Sequence, residues 1–482
     1  MIDPRPVGYI IGRLLLLLGL LMLIPGFLDW ALANGNAQGF MVSALFTIGI
    51  GGVVVLSTSN AVGHGLSTRL AFLLTALIWL VLPLFAALPF MLAAPQMHFT
   101  DAYFEAVSGI TTTGSTVIVG LEGYPEGMNL WRGMLNWLGG LGIAFIAMIF
   151  LPVMRVGGMQ FFRAEGFDTL GKILPRAADI ARSLLGAYAG LTLAAGLVYG
   201  ALGMTALDAS VHAMATIATG GFSPSDASFG KYPGAAEYAG ALFMVLGALP
   251  FIRFVQLMRG DVGPIWRDAQ VRAILLWIAT AVSGVVVWRL ATSGGPVEPV
   301  LRDALFNIVS IFTGTGFFSG SFGNWGGFAL VVAFIVGLIG GCSGSSSGGL
   351  SVFRVQVCVA AVRSQIRRVA SPNRIEPVRY GGRTVDTETL SALMMYVTSY
   401  VLLIGVLSVG MTLVGVDTQS ALFGVWTSLG NIGYGFGPMV APTGTFIDFP
   451  LAAKWILILT MLLGRLSLLA LLVLLLPRFW RQ

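Results

Sequence analysis

Charged residues are scarce in this chain of 482 residues: Asp, Glu, Lys and Arg make up 10% of it, against about 25% in a soluble globular protein. Hydrophobic residues make up 56%, and the mean hydropathy is +0.87. A soluble α/β enzyme of this length could not expose so much apolar surface to water and stay dispersed. Cysteine is nearly absent: Cys342 and Cys358 belong to no C-x-x-C or His-rich cluster, which excludes a disulfide scaffold. Histidine occurs at His64, His98 and His212, which read as a loop residue, an external residue and a member of a short helix, not as ligands or proton carriers. No Ser/His/Asp set or pair of carboxylates occupies a plausible catalytic site, and the polar connections are too short for a nucleotide-binding domain. A disordered chain and a nucleic-acid-binding domain are excluded as well, because the net charge of +6 is spread over hydrophobic spans.

What is abundant is apolar sequence in runs. A bilayer core takes about 20 mostly apolar residues per helix, and about ten runs meet that pattern. They lie near 9–33, 39–58, 69–94, 130–154, 184–206, 236–258, 271–292, 326–355 (interrupted), 390–416 and 451–476. The first is too long for a signal-peptide core and is followed by Asp29-Trp30, so it reads as a retained helix. The expected fold class is therefore an all-α polytopic membrane protein. Of the 27 Lys and Arg residues, 21 fall in connections on one side, among them Arg155, Arg163, Lys172, Arg176, Arg253, Arg259, Arg267 and Arg272. Arg132, Lys231, Arg289, Arg302 and Lys454 fall on the other side, and Arg465 alone lies inside a span. Basic connections are retained in the cytoplasm, which predicts that both termini are cytoplasmic.

Four segments between the spans align without gaps: 101–114, 208–221, 303–316 and 420–433. Asp101, Asp208, Asp303 and Ser420 open them and read as helix N-caps; Gly114, Gly221, Gly316 and Gly433 close them. A helix of about ten residues is about 15 Å long, half the hydrocarbon thickness, so it enters from outside and stops midway. The chain then returns as irregular backbone, which survives at that depth only where protein shields it or water lines it. Helix C-termini carry about half a negative charge, so four of them converging on one axis favour a desolvated cation. Carbonyl oxygens of the Thr-x-Gly strands can replace its hydration shell, and glycine suits the backbone angles involved. No acidic ring occurs at these positions, which favours a weakly hydrated monovalent ion such as K⁺ over a divalent one.

Thr-Thr-Thr-Gly-Ser-Thr (111–116), Ala-Thr-Gly-Gly-Phe-Ser (218–223), Thr-Gly-Thr-Gly-Phe (313–317) and Asn-Ile-Gly-Tyr-Gly-Phe-Gly-Pro (431–438) resemble the four filter segments of the TrkH/KtrB superfamily of potassium transporters. The resemblance covers essentially the whole chain, and the two additional N-terminal spans are similar to the TrkH/TrkG branch. It implies a two-helix domain (1–66) followed by four membrane–pore loop–membrane units at 67–165, 166–265, 266–372 and 373–482. It implies a filter made of Thr112, Thr113, Gly114, Thr219, Gly220, Gly221, Gly314, Thr315, Gly316, Asn431, Ile432 and Gly433. K⁺, both cargo and bound ion, would rest on the carbonyls of Thr112, Thr113, Thr219, Gly220, Gly314, Thr315, Asn431 and Ile432, with no organic cofactor on this chain. It further implies a homodimer in the bacterial inner membrane and a cytoplasmic TrkA-type nucleotide-binding regulatory subunit.

The eighth run is interrupted by Gly340, Gly341, Cys342, Ser343, Gly344, Ser345, Ser346, Ser347, Gly348 and Gly349. By composition alone this is a flexible linker, and it lacks the Gly-Lys-Ser/Thr of a phosphate-binding loop. Its place between the apolar stretch 328–339 and Arg354 puts it at membrane depth, where it reads as a mobile gate lining a hydrated cavity. In the TrkH family the matching segment is the intramembrane loop beneath the filter. A central arginine costs at least about 2.5 kcal/mol to insert, so Arg465 is expected to face the pore as a barrier charge belonging to the gate. Gly-Arg-Leu matches the family motif, although Ser467 stands where an acidic residue commonly follows. The basic stretch 363–383 reads as a positive-inside signal that also suits anionic lipid or the regulatory partner. The alternative reading is a secondary transporter coupling K⁺ or Na⁺ to H⁺, but such folds show two inverted halves, and here four units share one orientation.

Overall fold

The computed structural model describes residues 3–61, 67–145, 177–371, 373, 376–466, 473–474 and 476–481. His64, Arg155, Arg163, Lys172, Arg176, Arg374 and Ser467 lie outside the described residues. Helices α1 (Arg5–Ala31) and α2 (Ala37–Thr58) form a tight pair. Small residues make their seam: a Cβ on Gly12 would lie 3.0 Å from the Gly51 carbonyl oxygen.

The remaining helices form a succession in which a helix of 19–27 residues leads four times to a shorter one of 12–16 residues. It runs α3 (Thr68–Ala86), α4 (Leu88–Leu92), α5 (Phe99–Ile110) and α6 (Glu126–Phe145), then α7 (Ala177–Ala201), α8 (Ala206–Ile217), α9 (Ala235–Gly247) and α10 (Phe251–Met258). After the short α11 (Gly263–Arg267) come α12 (Ala269–Ser293), α13 (Val297–Phe312), α14 (Gly327–Ile339) and α15 (Val352–Ala370). An antiparallel hairpin, β1 (Arg379–Tyr380) with β2 (Arg383–Thr384), precedes α16 (Thr387–Leu413), α17 (Thr418–Gly430), α18 (Leu451–Arg465) and α19 (Pro477–Arg481). Six described helices are long and apolar enough to cross a bilayer. Large apolar side chains such as Leu45, Leu56, Val287 and Leu402 stand exposed on them, as on a lipid-facing surface.

Two expectations are corrected. The run 236–258 is not one straight span: α9 and α10 meet at 94°. Pro250 has no N–H and disfavours helical angles at Leu249, so the helix cannot continue. The caps also lie upstream of the residues expected. His98, Thr205 and Asp417 side chains accept from Thr100 N (3.4 Å), Asp208 N (3.1 Å) and Ser420 N (3.0 Å), while α13 starts after Pro296 without a side-chain cap. Asp101 and Asp208 therefore sit in first turns, and Asp303 sits well inside its helix.

The buried side chains form two large cores. One gathers the N-terminal pair with the first and fourth units, the other the second and third units. The four Thr/Gly segments lie where the two cores meet: Ile110 and Leu429 belong to one, Ile217, Ile311 and Ile432 to the other.

Candidate ion pathway

Each short helix of the four units ends in backbone that alternates in handedness. Thr112, Thr219, Gly314 and Asn431 have φ of +51°, +50°, +70° and +50°, and two residues later Gly114, Gly221, Gly316 and Gly433 have +82°, +69°, +81° and +85°. Asparagine and glycine suit this position just past a helix, but threonine does not, and a β-branched residue held there costs about 1–3 kcal/mol. Such alternation turns successive carbonyls to the same side of the strand.

The closing glycines interlock in chain order. A Cβ on Gly114 would collide with the Gly220 carbonyl oxygen, one on Gly221 with that of Thr315, one on Gly316 with that of Ile432, and one on Gly433 with that of Thr113. The four contacts close a ring of carbonyls around one axis, and only glycine permits the approach. Above the ring lies a cavity of about 300 Å³ whose walls include Gly114, Gly221, Gly316 and Gly433. At its outer rim, Asp226 accepts from the amides of Gly120 (2.6 Å) and Leu121 (3.0 Å). Nearby, burial raises the Glu122 carboxyl, but hydrogen bonds from Ser225 Oγ (2.5 Å) and the Asp226 amide (3.1 Å), with Lys231 close by, hold it below the ordinary carboxylate value.

Below the ring, the Gly/Ser loop and Arg465 occupy the last carbonyls of all four short helices. Arg465 Nε donates to the Thr111 carbonyl (2.9 Å), and its Nη2 donates to Thr112 Oγ1 and to the Ser346 carbonyl (2.9 Å). Ser346 Oγ donates to the Ile217 carbonyl (3.0 Å), and Ser347 Oγ to that of Thr313 (2.6 Å). Gly348 packs so closely on the Gly430 carbonyl that a Cβ would collide with it. Arg465 is thus held by backbone and hydroxyl oxygens, which answers how it is satisfied without an adjacent acid. The loop is itself anchored to the break in the bent span. The Cys342 N–H donates to the Ala248 carbonyl (3.0 Å), and the Phe251 N–H donates to that of Gly344 (3.0 Å).

Sequence reasoning passed over the side chains that brace the segments from behind. Position five of the four aligned segments is Glu105, His212, Asn307 and Gly424. Fully buried Glu105 accepts from Thr116 Oγ1 (3.0 Å) and the Val117 amide (3.1 Å) and pairs with Arg132 Nε at 2.8 Å. Arg132 also donates to the Ser223 carbonyl (2.7 Å), so it ties the first segment to the second from inside the protein, not from an external loop. His212 Nε2 meets Ser223 Oγ at 3.1 Å, and Asn307 Nδ2 donates to the Ser319 carbonyl (2.8 Å). Asn136 Nδ2 donates to the Gly109 carbonyl (2.9 Å), and its Oδ1 accepts from the Phe222 amide (3.1 Å). The signal was available: an ionisable residue inside an apolar span calls for a named partner.

Comparison with known proteins places this geometry. The TrkH family model, described as a cation transport protein, matches residues 36–481. The Trk system potassium uptake protein TrkI of Halomonas elongata is 38% identical over 479 residues, 99% of this chain and 97% of the relative. TrkH of Escherichia coli K12 is 34% identical over 485 residues, 99% of each chain. The crystal structure of the potassium transporter TrkH from Vibrio parahaemolyticus matches with a TM-score of 0.91 at 32% identity, covering 100% of both chains. A carbonyl ring inside a bundle of lipid-facing helices and full-length similarity to these relatives lead to one conclusion: the chain belongs to the TrkH family of cation transport proteins, multi-pass membrane transporters and not enzymes.

Proposed function

We propose that this chain is the K⁺-conducting subunit of a bacterial Trk-type uptake system, in the inner membrane with both termini cytoplasmic. The observation that carries the reading is the closed ring in which Gly114, Gly221, Gly316 and Gly433 each pack on a carbonyl of the next segment. K⁺ comes down through the outer cavity, exchanges water for carbonyl oxygens of the four segments, and is favoured there by four helix C-termini. The strands hold neutral oxygens, which suit a monovalent ion whose dehydration cost is modest.

The same C-termini explain the gate. In the present arrangement the Arg465 guanidinium and the hydroxyls of Ser346 and Ser347 sit on those carbonyls, so a fixed positive charge stands where a cation would leave the filter. Conduction requires the loop and Arg465 to withdraw together. A TrkA-type nucleotide-binding partner on the cytoplasmic side supplies the differential binding for that step, and the transporter works as a homodimer of chains divided as 1–66, 67–165, 166–265, 266–372 and 373–482. The test is growth of cells lacking K⁺ uptake on limiting K⁺. Rescue by this chain together with a compatible TrkA-type subunit is expected; its failure, with the protein present in the membrane, counts against the function.

A further inference from the structure

On the side of the Gly/Ser loop away from the filter lies a second cavity, of about 500 Å³. Its walls are α10, α11, the first turn of α12, Ser343 of the loop and the turn of the β-hairpin. Three arginines line it against one carboxylate. Arg253 is engaged by Asp268 (2.8 Å) and Gln256 (3.1 Å), whereas Arg267 and Arg272 are exposed and have no partner among the described residues. The 25-residue α12 begins on the same space with Asp268 as its cap, accepting from the Gln270 amide (2.8 Å), so the one carboxylate is spent on Arg253 and the helix end and leaves the other two guanidinium groups uncompensated. Beside it, exposed Trp266, Leu257 and Met258 mark the depth of a membrane–water interface.

We infer that this cavity is a binding site for a phosphate-bearing anion, either a phospholipid headgroup or a soluble phosphate compound, held by Arg267 and Arg272. A guanidinium recognises phosphate through paired N–H donors, and two unpaired ones at a cavity mouth supply that chemistry. The site is joined to the loop from behind: the Ser343 amide donates to Oε1 of buried Gln270 (2.8 Å), and the Phe251 amide at the start of α10 donates to the Gly344 carbonyl (3.0 Å). An anion that draws in Arg267 and Arg272 therefore bears on both anchors of the loop, and occupancy and loop position influence each other reciprocally. This second part rests on reading the loop as the gate.

Binding is measured on the purified full chain by native mass spectrometry with phosphatidylglycerol or phosphatidylcholine, and by calorimetry with inorganic phosphate and with ATP. At least tenfold preferential retention of one phosphate-bearing anion is expected, abolished in Arg267→Gln/Arg272→Gln and kept in Arg363→Gln/Arg368→Gln, which alters basic residues on α15, outside the cavity walls. Preference for phosphatidylglycerol assigns a lipid source; saturable binding of phosphate or ATP assigns a soluble one. No preference for any probe by the wild-type chain, or equal loss in both double variants, overturns the site. Rubidium uptake into proteoliposomes with and without the bound anion then reads the coupling. A change of at least threefold, absent in Arg267→Gln/Arg272→Gln, is expected; binding without any change in flux leaves the site standing and overturns its link to the gate.

Discussion

At the scale of single residues, the glycines that close the four segments are constrained twice, by positive φ and by a carbonyl of the next segment. Gly316→Ser places a Cβ against the Ile432 carbonyl oxygen and pushes that oxygen out of the ring. Selectivity for K⁺ over Na⁺ is expected to fall while the protein still assembles, read as competition of Na⁺ with rubidium uptake; unchanged competition would remove Gly316 from the filter. Glu105 and Arg132 form the one bond in this brace that is an ion pair, and both are buried. Removing one partner leaves an uncompensated buried charge, at a cost of about 3–5 kcal/mol. The double variant Arg132→Met/Glu105→Gln should lose less thermal stability than the sum of the two single losses, a non-additivity that melting curves in detergent detect. The register of the glycines was legible in the sequence because four copies repeat it. The Glu105–Arg132 pair was not, because Arg132 lies in the following helix and reads as one more external basic residue.

At the scale of elements, the Gly/Ser loop breaks the chain between α14 and α15, and its contacts were beyond sequence reading. Its glycines and serines fit no lipid-facing helix, which located it, but its partners are carbonyls, and carbonyls have no signature in a sequence. The bend at Pro250 was similarly masked by the surrounding apolar run, although a proline three residues after Gly247, the last residue of α9, was there to be read. The loop's grip on the helix ends rests on few bonds, each worth about 1 kcal/mol net, with those from Arg465 worth about 1.5–3. Ser346→Ala/Ser347→Ala is therefore expected to raise rubidium flux several-fold, and Arg465→Ala to raise it further, both with Na⁺ competition unaltered. If neither variant conducts faster than the wild type, the loop and Arg465 are structural ties and not a barrier.

At the scale of the whole molecule, the N-terminal pair is pinned to the first unit by one carboxylate. Asp29, fully buried, accepts from Asn34 Nδ2 (2.7 Å), Asn36 Nδ2 (2.9 Å) and the Gly127 amide at the start of α6 (2.7 Å). Asp29→Ala orphans three donors and is expected to cost about 3 kcal/mol or more, seen as a lowered melting temperature, with Asp29→Asn intermediate. The all-helical class was readable from apolar run length alone, but the straightness of each run was not. The division into two cores was not, because the first and fourth units are joined by contacts between residues far apart in the chain.

The interlocked glycines bear on how the transporter comes into being. Thr113 is made early and has no neighbour for its carbonyl until Gly433 arrives from the last unit. Three sides of the ring can be in place while the fourth is still on the ribosome, and a three-sided ring offers an ion no enclosed path. The ring that conduction needs is thus complete only once the last unit has been made.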